Sequence, residues 1–180
     1  MFTGIVQGVA ELVAVESRPG LATLRLAFAP GFADGLAIGA SVAVDGVCLT
    51  VTGRHGADSA SFDVMQQTLA LTTLGALAAG RRFNVERAAK ADAEVGGHAL
   101  SGHVDTQATL VAIRRPENNH VLRLGLDPRW MRYVFAKGYI ALDGASLTVA
   151  EVDRPAGWFE VWLIEFSQYR YELHPGANLQ

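Results

Sequence analysis

Cysteine is nearly absent from the chain: Cys48 is the only one among 180 residues. A single thiol excludes an intrachain disulfide and a cysteine-rich zinc site, and it suits a reducing compartment, so a cytoplasmic location is expected. Lysine is scarce as well, with Lys90 and Lys137 alone, and 15 basic side chains against 18 acidic ones leave a net charge of −3. Electrostatic capture of nucleic acid or of an anionic membrane is therefore not expected. No basic stretch opens the chain, and the apolar region from Leu21 to Val44 is broken by Arg25, Asp34 and glycines. Neither a signal peptide nor a spanning helix is expected. The sequence holds no G-x-x-x-x-G-K-[ST] loop and no G-x-G-x-x-G element, which removes the phosphate loop and the dinucleotide fold. Half of the residues are hydrophobic and 18% are charged, a balance that buries a core.

What the chain does have is an internal repeat. At an offset of 98, Phe2 to Val51 matches Leu100 to Val149 at 16 of 50 positions, against about three or four expected by chance. Gly4 falls on Gly102, Val6 on Val104 and Leu24-Arg25-Leu26 on Leu122-Arg123-Leu124; VAVDGVCLTV, from Val42 to Val51, falls on IALDGASLTV, from Ile140 to Val149. Two copies are too few for a solenoid and point to a duplicated domain. The copies are assigned to residues 1–97 and 98–180, with a polar, glycine-bearing linker from Ala88 to Ala99.

Each copy reads as strands. Asp45-Gly46 and Asp143-Gly144, flanked by β-branched and apolar residues, are the dipeptides of two-residue hairpin turns, so both aspartates are read as turn formers. Further strands are expected at Gly4 to Val15, Leu21 to Phe28, Ala60 to Met65 and Arg81 to Glu86, with one short helix at Thr68 to Leu77. The second copy predicts strands at Gly102 to Ile113, Val121 to Leu126, Tyr139 to Leu142, Ser146 to Val152 and Phe159 to Ile164, with a helix near Arg129 to Phe135. Six short strands per copy predict an all-β fold of two tandem six-stranded Greek-key barrels, since closure removes exposed sheet edges. Trp130, Trp158 and Trp162 are read as core or rim packing, and His98 and His103, five apart beside glycines, suggest no metal site.

The run of motifs MFTGIVQG, ASVAVDGVCLTV, FDVMQQTLALTTLG, NVERA, GGHALSGHVD and KGYIALDGASLTV resembles the α-type riboflavin synthase family, with its duplicated lumazine-binding domain, over the whole chain. The resemblance implies a homotrimer and a reaction that needs no cofactor and no metal. Two molecules of 6,7-dimethyl-8-ribityllumazine dismutate by transfer of a four-carbon unit, giving riboflavin and a ribitylaminopyrimidinedione. It places one pocket at Cys48, Leu49 and Thr50 with Asp63, Val64, Met65, Gln66, Gln67 and Thr68, completed by Gly102, His103, Val104 and Lys137. The other lies at Ser146, Leu147 and Thr148 with Trp162, Leu163, Ile164, Glu165, Phe166 and Ser167, completed by Gly4, Ile5 and Val6.

A reaction between two copies of one molecule needs two similar pockets that hold the reactants together, and orientation of that kind removes about 7–11 kcal/mol of barrier. One reactant loses a proton from its C7 methyl and the other accepts the carbanion, so the pockets must differ in chemistry. At the repeat offset Cys48 falls on Ser146, Ile5 on His103 and Gly39 on Lys137. His103 is assigned the proton transfer, because an unperturbed imidazole titrates near the working pH. Ser146 and Thr148 pass or place protons, Cys48 orients or polarises the partner at C7, and Thr50, Thr148, Asp63 and Lys137 serve ribityl hydroxyls; His98 is given at most a supporting place behind these residues. Set beside the family, the chain lines up Asn178-Leu179-Gln180 with Asn84-Val85-Glu86 in the last strand of a barrel, so the family's trimerising helix is expected to be missing from it, and the run after Ile164 departs from the family pattern. The alternative from another class is a non-catalytic, antenna-type lumazine or flavin binder.

Overall fold

Alternation with period two decides which residues face inward. In β2 (Leu21–Ala27) Ala22, Leu24 and Leu26 are buried, and in β5 (Ser59–Met65) Ala60, Phe62 and Val64 are. With β1 (Gly8–Arg18), β3 (Ser41–Val44), β4 (Val47–Arg54) and β6 (Arg82–Arg87) they pair antiparallel in the order β1-β2-β5-β4-β3-β6 and close into a barrel. The second barrel has the same order: β7 (Thr106–Arg114), β8 (Asn119–Gly125), β11 (Trp158–Ile164), β10 (Ala145–Asp153), β9 (Tyr139–Leu142) and β12 (Gly176–Leu179). The computed structural model describes residues 1–92, 96–164 and 176–180. The two-barrel expectation holds. Among the described residues no helix is long and apolar enough to cross a membrane.

Closing so small a sheet requires sharp local bending, which β-bulges supply. They recur at matching places: between Leu12 and Ala14 in β1 and between Leu110 and Ala112 in β7, then between Val51 and Gly53 in β4 and between Val149 and Glu151 in β10. Inside, Leu12, Leu24, Leu26, Phe62 and Phe83 fill the first barrel, and Leu122, Leu124, Met131, Phe159 and Val161 fill the second. Full burial of each such side chain contributes about 1.5–3 kcal/mol.

Three expectations shift. The strands expected from Gly4 and Gly102 begin only at Gly8 and Thr106, because both glycines lie at positive φ (74° and 82°) and their segments cross to the opposite barrel. The helix expected over Thr68 to Leu77 is α1 (Gln66–Leu71) followed by a 3-10 turn at Thr73–Gly75. Thr72 separates them: its hydroxyl donates to the Thr68 carbonyl and accepts from the Leu74 N–H. The helix near Arg129 to Phe135 is the single turn α2 (Pro128–Met131), capped by Asp127 with proline at its start.

The two Asp-Gly turns meet where the barrels touch. Asp45 and Gly46 have φ of 45° and 79°, Asp143 and Gly144 of 44° and 84°, the conformation of the expected hairpin turn. A Cβ added to Gly46 would lie 2.8 Å from the Gly144 nitrogen, so only glycine lets the turns pack back to back. Each aspartate is buried and accepts a strand N–H from its own barrel, Asp45 from Asn84 and Asp143 from Asn178, both at 2.8 Å. The asparagines then cross over: Asn84 Nδ2 donates to the Asp143 carbonyl at 3.1 Å and Asn178 Nδ2 to the Asp45 carbonyl at 2.9 Å. Reciprocal bonds of this kind define a local twofold relation between the barrels. Phe2, Ala43, Leu100 and Ala141 form a small apolar cluster beside it.

Candidate functional sites on twin barrel faces

The hairpins that make the inter-barrel contact also present the chemistry. Along β4, Val47, Leu49 and Val51 point into the core while Cys48 is half-buried and Thr50 is exposed on the outer face. Along β10, Val149 points inward while Ser146 is half-buried and Thr148 exposed. Each face is completed by the segment that left the opposite end of the repeat. The Gly102 carbonyl accepts the Cys48 N–H at 2.8 Å, and the Gly4 carbonyl accepts the Ser146 N–H at 2.9 Å. Contact is so close that a Cβ on Gly102 would sit 2.5 Å from that of Cys48, and one on Gly4 would collide with that of Ser146.

At the first face β4 pairs with β5 at Val51 and Phe62, next to Thr50 and Asp63, whereas Gln66 lines a separate hollow with Val15, Ser17 and Leu69. Asp63, Met65, Gln66 and Gln67 are exposed, and Thr68 is half-buried in α1; Asp63 accepts a hydrogen bond from Thr23 Oγ1 at 2.7 Å. Val104 packs on the first barrel's core. Leu49 and Val64 are 5% and 1% exposed, so their side chains face the core and only their main chain borders the pocket. His103 is exposed, and among the described residues its ring makes no hydrogen bond; its N–H donates to Ser101 Oγ at 3.0 Å. Lys137 is on the second barrel, where its N–H donates to the Val149 carbonyl at 2.8 Å. Its φ is +65°, and the matching Gly39 has +87° with the same bond to Val51.

At the second face the structure adds two residues. His98 Nδ1 lies 2.7 Å from Ser146 Oγ, a hydrogen bond whose direction depends on the tautomer. The His98 ring stacks on Tyr139, with centroids 3.9 Å apart and planes at 11°. Tyr139 pairs with Thr148 and Ala141 with Ser146 across the β9–β10 ladder. The strand pleat therefore puts Tyr139, Ser146 and Thr148 on one outer face, a placement readable from the alternation alone. Nothing in the local sequence distinguishes His98 from His103, because the stack is tertiary. Ile5 is exposed beside the half-buried Val6, Leu147 and Leu163 pack on the core, and Trp162 is 51% exposed on β11. Ile164 pairs with Asn119 at the end of β11; Glu165, Phe166 and Ser167 lie outside the described residues. Of the three tryptophans, Trp130 packs on the second core and Trp158 lies under Arg123.

A hollow opens beside each face at matching positions. One of about 670 Å³ lies near Ser41 between Ile5, Gln7, Leu36 and Glu86; one of about 490 Å³ lies near Tyr139 between Trp130, Tyr133, Val134 and Gln180. Both have the size of small-molecule sites, and neither is lined by Cys48, Thr50, Ser146 or Thr148, whose face is open.

The lumazine binding domain model matches residues 3–88 and again 101–177. The riboflavin synthase of Escherichia coli strain K12 is 48% identical over 153 residues, covering 84% of this chain and 71% of that protein. The riboflavin synthase of Mycobacterium bovis is 41% identical over 165 residues, covering 91% of this chain and 82% of that protein. Among solved structures, LumP complexed with 6,7-dimethyl-8-(1'-D-ribityl) lumazine superimposes with a TM-score of 0.83 at 21% identity, over 100% of this chain and 98% of that one. LumP complexed with riboflavin gives 0.85 at 22%, a likeness of fold. A repeat in the sequence, the same barrel closed twice, and relatives matched over most of their length all agree: the chain belongs to the lumazine binding domain family and, within it, to the riboflavin synthases.

Proposed function

We propose that the chain catalyses the dismutation of two 6,7-dimethyl-8-ribityllumazine molecules, one donating a four-carbon unit to the other, to give riboflavin and a ribitylaminopyrimidinedione. Residues 1–97 and 98–180 supply one pocket each. The observation that carries the reading is the His98–Ser146 hydrogen bond, 2.7 Å long, on a face whose twin offers Cys48 and the exposed His103 instead. The scaffold is repeated while the polar groups are not, as a reaction between identical molecules in different roles demands.

At the second face the His98 ring, held by Tyr139 on one side and by Ser146 Oγ at one nitrogen, leaves its other nitrogen to take a proton from the C7 methyl of the molecule that accepts the four-carbon unit. The imidazole then returns the proton to the amine that leaves the four-carbon donor. Thr148, one pleat along, places that molecule. At the first face Cys48 and His103 border the electrophilic partner, which gives up its four carbons, with Thr50 and Asp63 toward its ribityl chain. Lys137 sits on the second barrel, which supports completion of the Cys48 face by a neighbouring subunit, as in a homotrimer working in the cytosol.

The test is direct. Purified protein mixed with the lumazine forms one riboflavin for every two molecules consumed, read by riboflavin absorbance. His98→Gln lowers turnover by about 10²–10⁴-fold while changing riboflavin affinity by less than about threefold. Tight lumazine binding without riboflavin formation would make the chain a passive carrier and refute the reading.

A further inference from the structure

Underneath the second face lies a side chain with no part in the chemistry above. Glu86, near the end of β6 and 2% exposed, accepts hydrogen bonds from the Thr3 N–H at 2.6 Å, from Thr3 Oγ1 at 2.8 Å and from the Gly4 N–H at 3.0 Å. On their other edge the same two residues carry the pocket. The Thr3 carbonyl accepts the His98 N–H at 2.8 Å, and the Gly4 carbonyl accepts the Ser146 N–H at 2.9 Å.

We propose that Glu86 is a positioning residue of the second pocket: its buried carboxylate fixes Thr3 and Gly4, which in turn hold His98 and Ser146 at bonding distance. The proposal rests on the reading of His98 and Ser146 as the proton-handling pair.

The twin clamp shows why the charge matters. Below the first face Gln180 does the corresponding work. Its Oε1 accepts from the Gly102 N–H at 2.9 Å and from Ser101 Oγ at 3.4 Å, and Gly102 carries Cys48. Its Nε2 donates to the Gly46 carbonyl at 3.0 Å. An amide has one acceptor oxygen and one donor group, and both are used. A carboxylate has two acceptor oxygens and no donor, and at Glu86 both accept. An amide at position 86 would turn N–H against the Gly4 or the Thr3 N–H, and a carboxylate at position 180 would face the Gly46 carbonyl. Burial pushes the Glu86 carboxyl up, against the lowering pull of the Thr3 and Gly4 hydrogen bonds and the N-terminal ammonium, which is the environment of a buried acid held by main-chain donors.

The experiment compares amide hydrogen exchange by NMR in the ligand-free full chain with steady-state turnover. In Glu86→Gln the Ser146 amide exchanges roughly tenfold faster while the Cys48 amide keeps its rate, because local opening is confined to the second strap. Turnover falls roughly tenfold with little change in KM, as expected when a positioned pair loosens. Thr3→Val, which deletes only the hydroxyl bond, moves both readouts less and in the same direction, and it decides the matter should Glu86→Gln fail to fold. The proposal is overturned if Ser146 exchange stays at the wild-type rate, if Ser146 and Cys48 accelerate together, or if turnover is kept while Ser146 accelerates. Wild-type protein that forms no riboflavin defeats the functional reading instead, and the exchange rates then decide whether the clamp exists.

Discussion

Gly102→Ala tests the close approach on which the first face depends. Two costs add at this position. Its φ of +82° places an L-residue in the left-handed region, at about 1–2 kcal/mol. The new methyl would lie 2.5 Å from Cys48 Cβ, 2.9 Å from Phe2 Cε2 and 3.1 Å from the Cys48 nitrogen. None of these is the free end of a flexible side chain, since Phe2 is 1% exposed and Cys48 is fixed in a strand, so overpacking adds about 1–3 kcal/mol. The sum, about 2–5 kcal/mol, lowers the midpoint of thermal unfolding by about 4–20 °C for a chain of this size. Gly20→Ala is the matched control: φ is +77° with nothing within 4 Å, so the conformational cost stands alone, at about 1–2 kcal/mol. Calorimetry of the two variants separates contact from strain. Equal midpoints would refute the claim that Gly102 is required by its packing on Cys48.

Two further outcomes follow from the carboxylates. Glu160, 1% exposed, accepts from Arg114 and Arg123, each at 2.7 Å, and Arg123 also lies 3.7 Å from the Trp158 ring centroid. Urea unfolding should therefore show Arg123→Ala costing about 0.5–1 kcal/mol more than Arg114→Ala, and equal costs would dismiss the ring contact. Glu160 and Glu86 should also give acid dependences of opposite sign. Burial pushes Glu160 up, but hydrogen bonds from Arg123 and Arg114 outweigh it and hold the carboxyl below its ordinary 4.5. Its contribution is complete above that pH and is lost as the pH falls through the folded value. The Glu86 carboxyl is raised, so its contribution is complete below 4.5 and is lost as the pH rises through the folded value. Stability profiles of Glu160→Gln and Glu86→Gln that depart from wild type on the same side of 4.5 would contradict this assignment.

Topology was legible in the sequence because it rests on local signals written twice. The 98-residue offset, the Asp-Gly turns and the alternation in β2 and β5 are each short-range, and together they leave little choice but paired barrels. Strand starts were not legible at Gly4 and Gly102. Their surroundings are as apolar as a strand, and only the partner barrel, by accepting their main chain, pulls them out of register. Pocket membership was half legible. Period two places Leu49 and Val64 inward and Tyr139 on the Ser146 face, whereas His98 comes from a linker with no period and is fixed by a stack and one hydrogen bond. Some matches are invisible to any ungapped comparison. Arg54 ties the carbonyls of Ala33 and Leu36, and Arg154 ties those of Met131 and Val134. The tied carbonyls correspond at the repeat offset while the arginines are 100 apart.

Duplication also separates what the backbone needs from what the chemistry needs. Gly4 with Gly102, and Gly46 with Gly144, are the same in both copies, and each has positive φ and a neighbour too close for a Cβ. Cys48 with Ser146, and Ser41 with Tyr139, stand on the outer faces and differ. Gly39 with Lys137 breaks the pattern. Both have positive φ and the same hydrogen bond, so glycine suffices for the fold, and a lysine there bears left-handed strain of about 1–2 kcal/mol. Strain kept where a strain-free residue fits points to use of the side chain. Lys137→Gly should unfold about 0.5–1 kcal/mol later, after glycine's own entropic cost is set against the relief, and should raise KM for the ribityl substrate while leaving riboflavin formation detectable. A variant that gains stability and keeps its KM would strip Lys137 of any role toward the ligand.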